Sequence, residues 1–321
     1  MKRNITSMAL MACTAIAFFS CQKAYTSLTV DLNLYDNFVK ANIAEQQVFS
    51  IDAATGGAIT CNRGSKIVFP PNAFANPDNT ITTGSVKITV KEALVKSQWL
   101  MEGLSTTTQN GILISGGMLD IAASRSGDGV EVKPSPAMLV PTPSMLNVIQ
   151  VQVPKINNLP DTMNLFVPGG GVTGSTSIPP STWAANYFPF GNGVNSYIFQ
   201  LPQFRWVNCD GLYNQSGPKT TITVTPDLTG VTGATGVQAM LVYRNLTTVI
   251  TLPPSGTFMQ SYTNSIPIGS IADVVCIGKD GAGKIILKVL PATTLSALLN
   301  VTIKPTVTDA ATVRAYLNSI N

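Results

Sequence analysis

No histidine occurs among the 321 residues. Histidine is the commonest metal ligand and the commonest general base near neutral pH. Zinc hydrolase sites, Ser-His-Asp triads, Cys-His dyads and histidine-ligated haem each lose a required part. Carboxylate-only chemistry, as in glycosidases, and oxygen-ligand calcium sites stay open in principle. Charge is also scarce, at 11% of residues, and the 20 basic residues are scattered rather than clustered. Nucleic-acid binding is not expected from so dispersed a positive charge. Only five cysteines are present, and no spacing among them resembles a metal site.

Against these absences stands the N-terminus. Met1-Lys2-Arg3-Asn4 is followed by an apolar run from Ile5 to Phe19, then Ser20-Cys21. A charged start, a short apolar stretch and a cysteine at the processing point form a secretory lipoprotein pattern, too short to span a bilayer comfortably. Cys21 is the expected lipidation site, with residues 1–20 removed as signal. Leu10-Met11-Ala12-Cys13 offers an earlier cysteine with a better local match. Cleavage there would leave the apolar stretch Thr14 to Phe19 on the mature chain. The expectation is an extracytoplasmic protein anchored to a membrane, the outer membrane in particular. Removing Lys2 and Arg3 from the 20 basic residues leaves 18 against 16 acidic ones, a nearly neutral mature chain.

The remaining cysteines are Cys61, Cys209 and Cys276. In an oxidising compartment, one disulfide and one free thiol is the simplest arrangement. Cys276 sits in an apolar run and suits a buried free thiol. A Cys61–Cys209 pair is then possible, as are three buried reduced cysteines.

With 26 glycines and 21 prolines, the composition suits many short strands joined by tight turns. From Val48 the chain alternates in the β manner. Val86, Ile88 and Val90 fall on one face of a strand, and Lys87, Thr89 and Lys91 on the other. Ser126-Gly127-Asp128-Gly129 signals a hairpin turn. Seven or eight such segments within about 100 residues predict a β-sandwich over 46–145. A second alternating region from Thr220 predicts an Ig-like or fibronectin-like sandwich over 216–305. The expected fold class is all-β, with two sandwiches and a short C-terminal helix in 306–321. Thr308 is its candidate N-cap, with Val313, Leu317 and Ile320 on one face. Residues 21–45 are expected as a lipidated tether and lead-in.

Some of these residues carry a resemblance. Gly56-Gly57-Ala58-Ile59, then Ile67-Val68-Phe69-Pro70-Pro71-Asn72-Ala73-Phe74, then Gly84-Ser85-Val86-Lys87-Ile88 resembles the ZU5 domain over about residues 48–142. The resemblance implies a β-sandwich used for protein contacts and intramolecular packing. Self-cleavage, known in some ZU5-containing proteins, needs a histidine and does not carry over. Trp206-Val207-Asn208-Cys209-Asp210 is similar to a motif in envelope lipoproteins of Bacteroidota-type bacteria, where a ZU5-like segment precedes it. That similarity implies compartment and architecture, not a reaction.

Residues 146–215 read as an aromatic-rich connecting region. Nine aromatic residues fall between 183 and 213: Trp183, Tyr187, Phe188, Phe190, Tyr197, Phe199, Phe204, Trp206 and Tyr213. They can cover a joint between sandwiches. Alternatively, Trp183, Tyr187, Tyr197 and Trp206 can form an exposed platform on which sugar rings stack. Asp210 is either a ligand-facing acid or, more simply, a turn or capping carboxylate. Gly278-Lys279-Asp280-Gly281-Ala282-Gly283-Lys284 resembles a phosphate loop only superficially, because a strand follows it. Asn76-Pro77-Asp78-Asn79 and the 126–129 turn each offer one carboxylate, too few for a calcium site. No catalytic residue, metal ligand or cofactor is assigned. The functional expectation is a non-catalytic binding or scaffold protein at the envelope, with a protein or glycan partner. Glycan binding through 183–213 is the first alternative, and a carboxylate-based enzyme the second.

Overall fold

The computed structural model describes residues 30–155, 159, 163–169, 180–213 and 215–321. Cys21 and the proposed signal lie outside them. Residues Asp31–Asn321 form one compact unit.

Helix α1 (Tyr35–Asn42) leads into the first group of strands. In chain order these are β1 (Gln46–Asp52), β2 (Gly57–Thr60), β3 (Lys66–Phe69), β4 (Phe74–Ala75) and β5 (Ser85–Ala93). After helix α2 (Lys96–Glu102) come β6 (Thr107–Thr108), β7 (Gly111–Arg125), β8 (Lys133–Pro134), β9 (Gln150–Pro154) and β10 (Asn164–Pro168). The group closes with β11 (Trp183–Ala185), β12 (Phe190–Asn192), β13 (Ser196–Gln200) and β14 (Arg205–Leu212). One sheet runs β1-β5-β7-β14-β10-β11, with β6 also on β7, and a second runs β12-β13-β9-β3-β2. Val86, Ile88, Leu119 and Ile121 from the first share a buried core with Ile67, Val151, Val153 and Phe199 from the second. The sandwich therefore extends well beyond residue 145. The stretch 146–215, expected as a connection, supplies strands to both sheets. Unpaired strands would leave buried backbone N–H and C=O groups without partners, which is the physical reason the segment is drawn in.

The second group begins with β15 (Lys219–Thr220), β16 (Thr223–Pro226), β17 (Thr235–Tyr243) and β18 (Thr248–Leu252). It continues through β19 (Pro254–Ser255), β20 (Phe258–Gln260), β21 (Ile266–Pro267) and β22 (Ile271–Lys279). β23 (Ile285–Thr294), β24 (Asn300–Ile303), β25 (Thr306–Val307) and helix α3 (Ala310–Ile320) complete it. Sheet β18-β17-β22-β23-β25 packs on sheet β19-β20-β16-β24, with Leu241, Val274 and Cys276 meeting Ile222, Val224 and Ile303. The protein is thus all-β, as its alternation predicts. The N-cap of α3 is Asp309, not Thr308. Its carboxylate accepts from the Thr312 N–H at 2.7 Å, while Thr308 donates its backbone N–H to Ile285.

A third apolar core joins the two sandwiches. It combines the outer faces of β7, β10 and β14 (Met118, Phe166, Trp206) with those of β17 and β22 (Met240, Val242, Val275). Helices fill the rest, through Phe38 of α1, Trp99 and Leu100 of α2, and Val313 and Leu317 of α3. The lead-in is accordingly docked where it is described. Phe38 is fully buried, and the Tyr35 N–H donates to the Gly283 carbonyl at 2.8 Å.

Strand β7 crosses between these cores. Ile112 belongs to the second sandwich core, Leu119 and Ile121 to the first. Between them lies Gly117, at φ +133°. A Cβ there would come within 2.6 Å of the Leu94 side chain, so only glycine permits the crossing as built. At the same level β7 carries a bulge: Cys209 and Asp210 of β14 pair with Gly117 and Ser115, and the extra residue, Gly116, bends β7.

Candidate functional site

The aromatic segment is core, not a platform. Trp183, Tyr197 and Trp206 are at most 2% exposed. Trp183 donates its indole N–H to the Ser105 carbonyl at 2.5 Å, and Phe190 stacks on Phe199 at 6.0 Å. Tyr187, by contrast, is 95% exposed and lies on a loop. Four rings that do not share a surface cannot cradle a sugar together. The stacking role expected for Trp183, Tyr197 and Trp206 is therefore overturned by their burial.

Cys61, Cys209 and Cys276 are all free and buried, so the Cys61–Cys209 pair is not made. Burial pushes the Cys61 and Cys276 thiols up to about 12, and that of Cys209 well above its ordinary value. A thiol held protonated is a poor nucleophile and packs as a small apolar group.

Asp210 is neither a ligand-facing acid nor a capping carboxylate. It lies within β14, fully buried beside the bulge. Asn208 donates its side-chain N–H to it at 2.6 Å, and the Ser115 hydroxyl in turn donates to Asn208 at 3.1 Å. Burial raises its pKa well above the carboxylate range, because these neutral donors do not replace the water it has lost. Other buried acids are better provided for. Glu92 accepts the backbone N–H groups of Arg63 and Ser65 at 2.9 and 3.0 Å and clamps the β2–β3 turn. Asp273 ties together three elements of the second sandwich and α3. It accepts two bonds from Arg244 Nε at 3.0–3.1 Å, one from the Ala292 N–H at 2.9 Å and one from the Tyr316 hydroxyl at 3.2 Å. Among the described residues no group of three or more acidic or cysteine side chains could hold a metal.

A feature with room for a ligand lies beside β7, β8 and the start of β14. A cavity of about 480 Å³ is bounded by Ala122 and Ala123 of β7, Lys133 and Pro134 of β8, and the Pro202–Arg205 approach to β14. Pro77, Glu131, Val132 and Leu139 complete its lining. The walls are mostly apolar. Three of them are prolines, which carry no N–H, and Phe204 turns its other side to Phe74 at a ring separation of 6.0 Å. The prolines also suit the boundary of a sheet, where ladder donors are not needed. Lys133 is held at the rim by donating to the Pro77 carbonyl at 3.0 Å.

Arg205 is the distinctive member of this lining. Its φ is +86°, a left-handed conformation that costs a non-glycine residue about 1–3 kcal/mol. Pairing with Ile121 of β7 holds it there. Its Nε is buried and has no hydrogen-bond partner among the described residues. Asp120 lies next to it in sequence register, paired with Trp206 on one side and Lys91 on the other. Burial raises the Asp120 pKa, and Arg205 and Lys91 partly offset that, with Glu102 acting the other way. Lys91 is already engaged by Glu102 at 2.7 Å. The Asp120 Oδ1 and Trp206 Nε1 atoms, like Arg205 Nε, are buried without a hydrogen-bond partner among the described residues. A cation on strained backbone, with a buried Nε that has no hydrogen-bond partner, beside a buried acid in a mostly apolar cavity distinguishes a candidate binding site from an ordinary sheet edge.

Nothing in the reading of motifs singled out Arg205. One signal was available: between Asp161 and Lys219 the chain carries only two charged residues, Arg205 and Asp210. Charges retained within an otherwise neutral, aromatic stretch have reason to be there. Compared with family models, with characterised proteins and with solved structures, the chain matches none.

Proposed function

We propose that this chain is a lipid-anchored binding or scaffold protein of a bacterial cell envelope, held outside the cytoplasm through Cys21 and acting without catalysis. The observation that carries the binding role is the cavity beside Arg205. Its volume of about 480 Å³ lies in the range typical of small-ligand sites, roughly 300–1,000 Å³. Ala122, Ala123, Lys133, Pro134 and Arg205 place part of its wall on paired strands, and connecting segments supply the rest. The lipidation pattern at Ser20-Cys21 supports the compartment, and the ZU5-like pattern over 48–142 supports a role in contacts. The absence of histidine weighs against most hydrolytic and metal-dependent mechanisms.

Bacterial lipid anchors carry more than one acyl chain, and stable attachment needs more than one. Cys21→Ala is therefore expected to move the protein from the membrane to the soluble fraction on envelope fractionation. A variant that stays with the membrane overturns the anchor. For binding, the tagged full-length protein is purified from gently solubilised envelopes, and co-eluting molecules are identified by mass spectrometry. Leu139→Trp, which fills the cavity rim, serves as the control. The reading predicts a reproducible companion that this variant loses; companions retained by both proteins argue against the cavity.

A further inference from the structure

The geometry points to a ligand class for the cavity: a small monocarboxylate with an apolar body, its carboxylate received by Arg205 and its body lying against Phe204, Pro202, Pro134 and Leu139. This rests on the binding role proposed above and narrows it.

Four observations combine. First, Arg205 lines a cavity whose walls are mostly apolar, and its buried Nε has no hydrogen-bond partner among the described residues. Guanidinium groups match carboxylates in a planar, two-pronged geometry, and an apolar surround strengthens the pairing by excluding water. Second, the other cation in the lining is already directed elsewhere, since Lys133 donates to the Pro77 carbonyl. Third, the acid nearest in register, Asp120, feels the charge of Arg205 more than that of Lys91 or Glu102, yet its Oδ1 accepts no hydrogen bond among the described residues. Fourth, the backbone at Arg205 is strained, and the register of β14 on β7 enforces the strain. Strain of this kind persists where a side chain must be presented in one direction.

The size of the cavity limits the occupant. A volume of about 480 Å³ accommodates a body of roughly ten to twenty non-hydrogen atoms, within the usual range for small-ligand sites. A long polar glycan does not suit walls made by Pro77, Val132, Pro134, Pro202 and Phe204.

The test uses the full-length protein in lipid nanodiscs, with empty discs subtracted, and isothermal titration of 4-phenylbutyrate and of its amide. The carboxylate is expected to bind at least about tenfold more tightly than the amide, the difference a charged hydrogen-bonded pair supplies over a neutral one. Arg205→Gln should abolish that preference with an unchanged thermal transition, Arg205→Lys should retain part of it, and Leu139→Trp should remove binding of both compounds. Equal affinity for acid and amide, with both lost in Leu139→Trp, would overturn the carboxylate class and leave the cavity standing as a binding site. A preference that survives in Arg205→Gln would overturn the role of Arg205. Absence of binding by either compound overturns the inference, whereas a companion molecule lost in Leu139→Trp would still uphold the binding role.

Discussion

Asp273 in β22 and Asp210 in β14 are both fully buried carboxylates in the middle of strands, one in each sandwich. Their surroundings differ in kind. Asp273 meets a guanidinium, a backbone N–H and a phenol, and through them joins the turn after β17, β23 and α3. Asp210 meets only the Asn208 amide and the Ser115 hydroxyl, and one of its oxygens has no partner. A buried acid with a countercharge ties elements together, while one with neutral donors is held toward its protonated form. The same contrast separates the regions around them. The second sandwich has spent its buried charges on its own cohesion. The first retains, around Asp120, Arg205 and Trp206, polar atoms that no described residue satisfies.

The largest expected effect concerns the contact that joins the two regions. Trp183 reaches Ser105 through its indole N–H, and the Ser105 hydroxyl accepts from the Thr251 N–H in β18 at 3.2 Å. Trp183→Ala should cost about 3–5 kcal/mol in urea unfolding, as for other fully buried aromatics. A change below about 1 kcal/mol would mean the ring is not core and would reopen an exposed role. Next comes Asp273→Ala, which strands Tyr316 and the Ala292 N–H and frees α3 from the sheet. About 3 kcal/mol of lost stability is expected, with faster amide exchange in Ala310–Ile320. Loss of stability without any change in that helix would remove Asp273 as its tie.

The smallest effect sharpens the contrast through pH. The folded pKa of Asp210 is raised, so the folded protein holds a proton that the unfolded chain releases above its ordinary carboxylate value of about 3.9. Stability contributed by this group is present at acid pH and falls as pH rises from about 4 toward the folded value. Asp210→Asn removes the titrating group. Its thermal midpoint should exceed that of the parent at pH 8 by more than at pH 4.5, by about 1 kcal/mol or more in stability. If the gap between the two proteins is the same at both pH values, Asp210 is not held protonated.

How much was legible beforehand differs from element to element. The alternation of Val86, Ile88 and Val90 marked β5 and its inward face, and these three residues are fully buried. The stripe Val313, Leu317 and Ile320 likewise marked α3. The segment 146–215 reads as a connection because its strands are short and pair with partners far away: Trp206 lies beside Asp120, and Ile198 beside Gln152. Alternation reports that a strand has an inner face, not which strand will lie next to it. The cavity was invisible for the same reason, since its walls come from residues 77, 122–123, 131–134, 139 and 202–205.

The amino-acid sequence by itself determined the all-β class, most strand faces, the C-terminal helix and the exclusion of histidine chemistry, because these follow from local periodicity and composition. Tertiary structure alone decided that residues 146–215 complete the first sandwich, that Trp183, Tyr197 and Trp206 are buried, and that Arg205 lines an apolar cavity with no hydrogen-bond partner for its buried Nε among the described residues. Each of these depends on which distant surfaces meet, and burial, strain and the lack of a partner are properties of that meeting rather than of any residue alone.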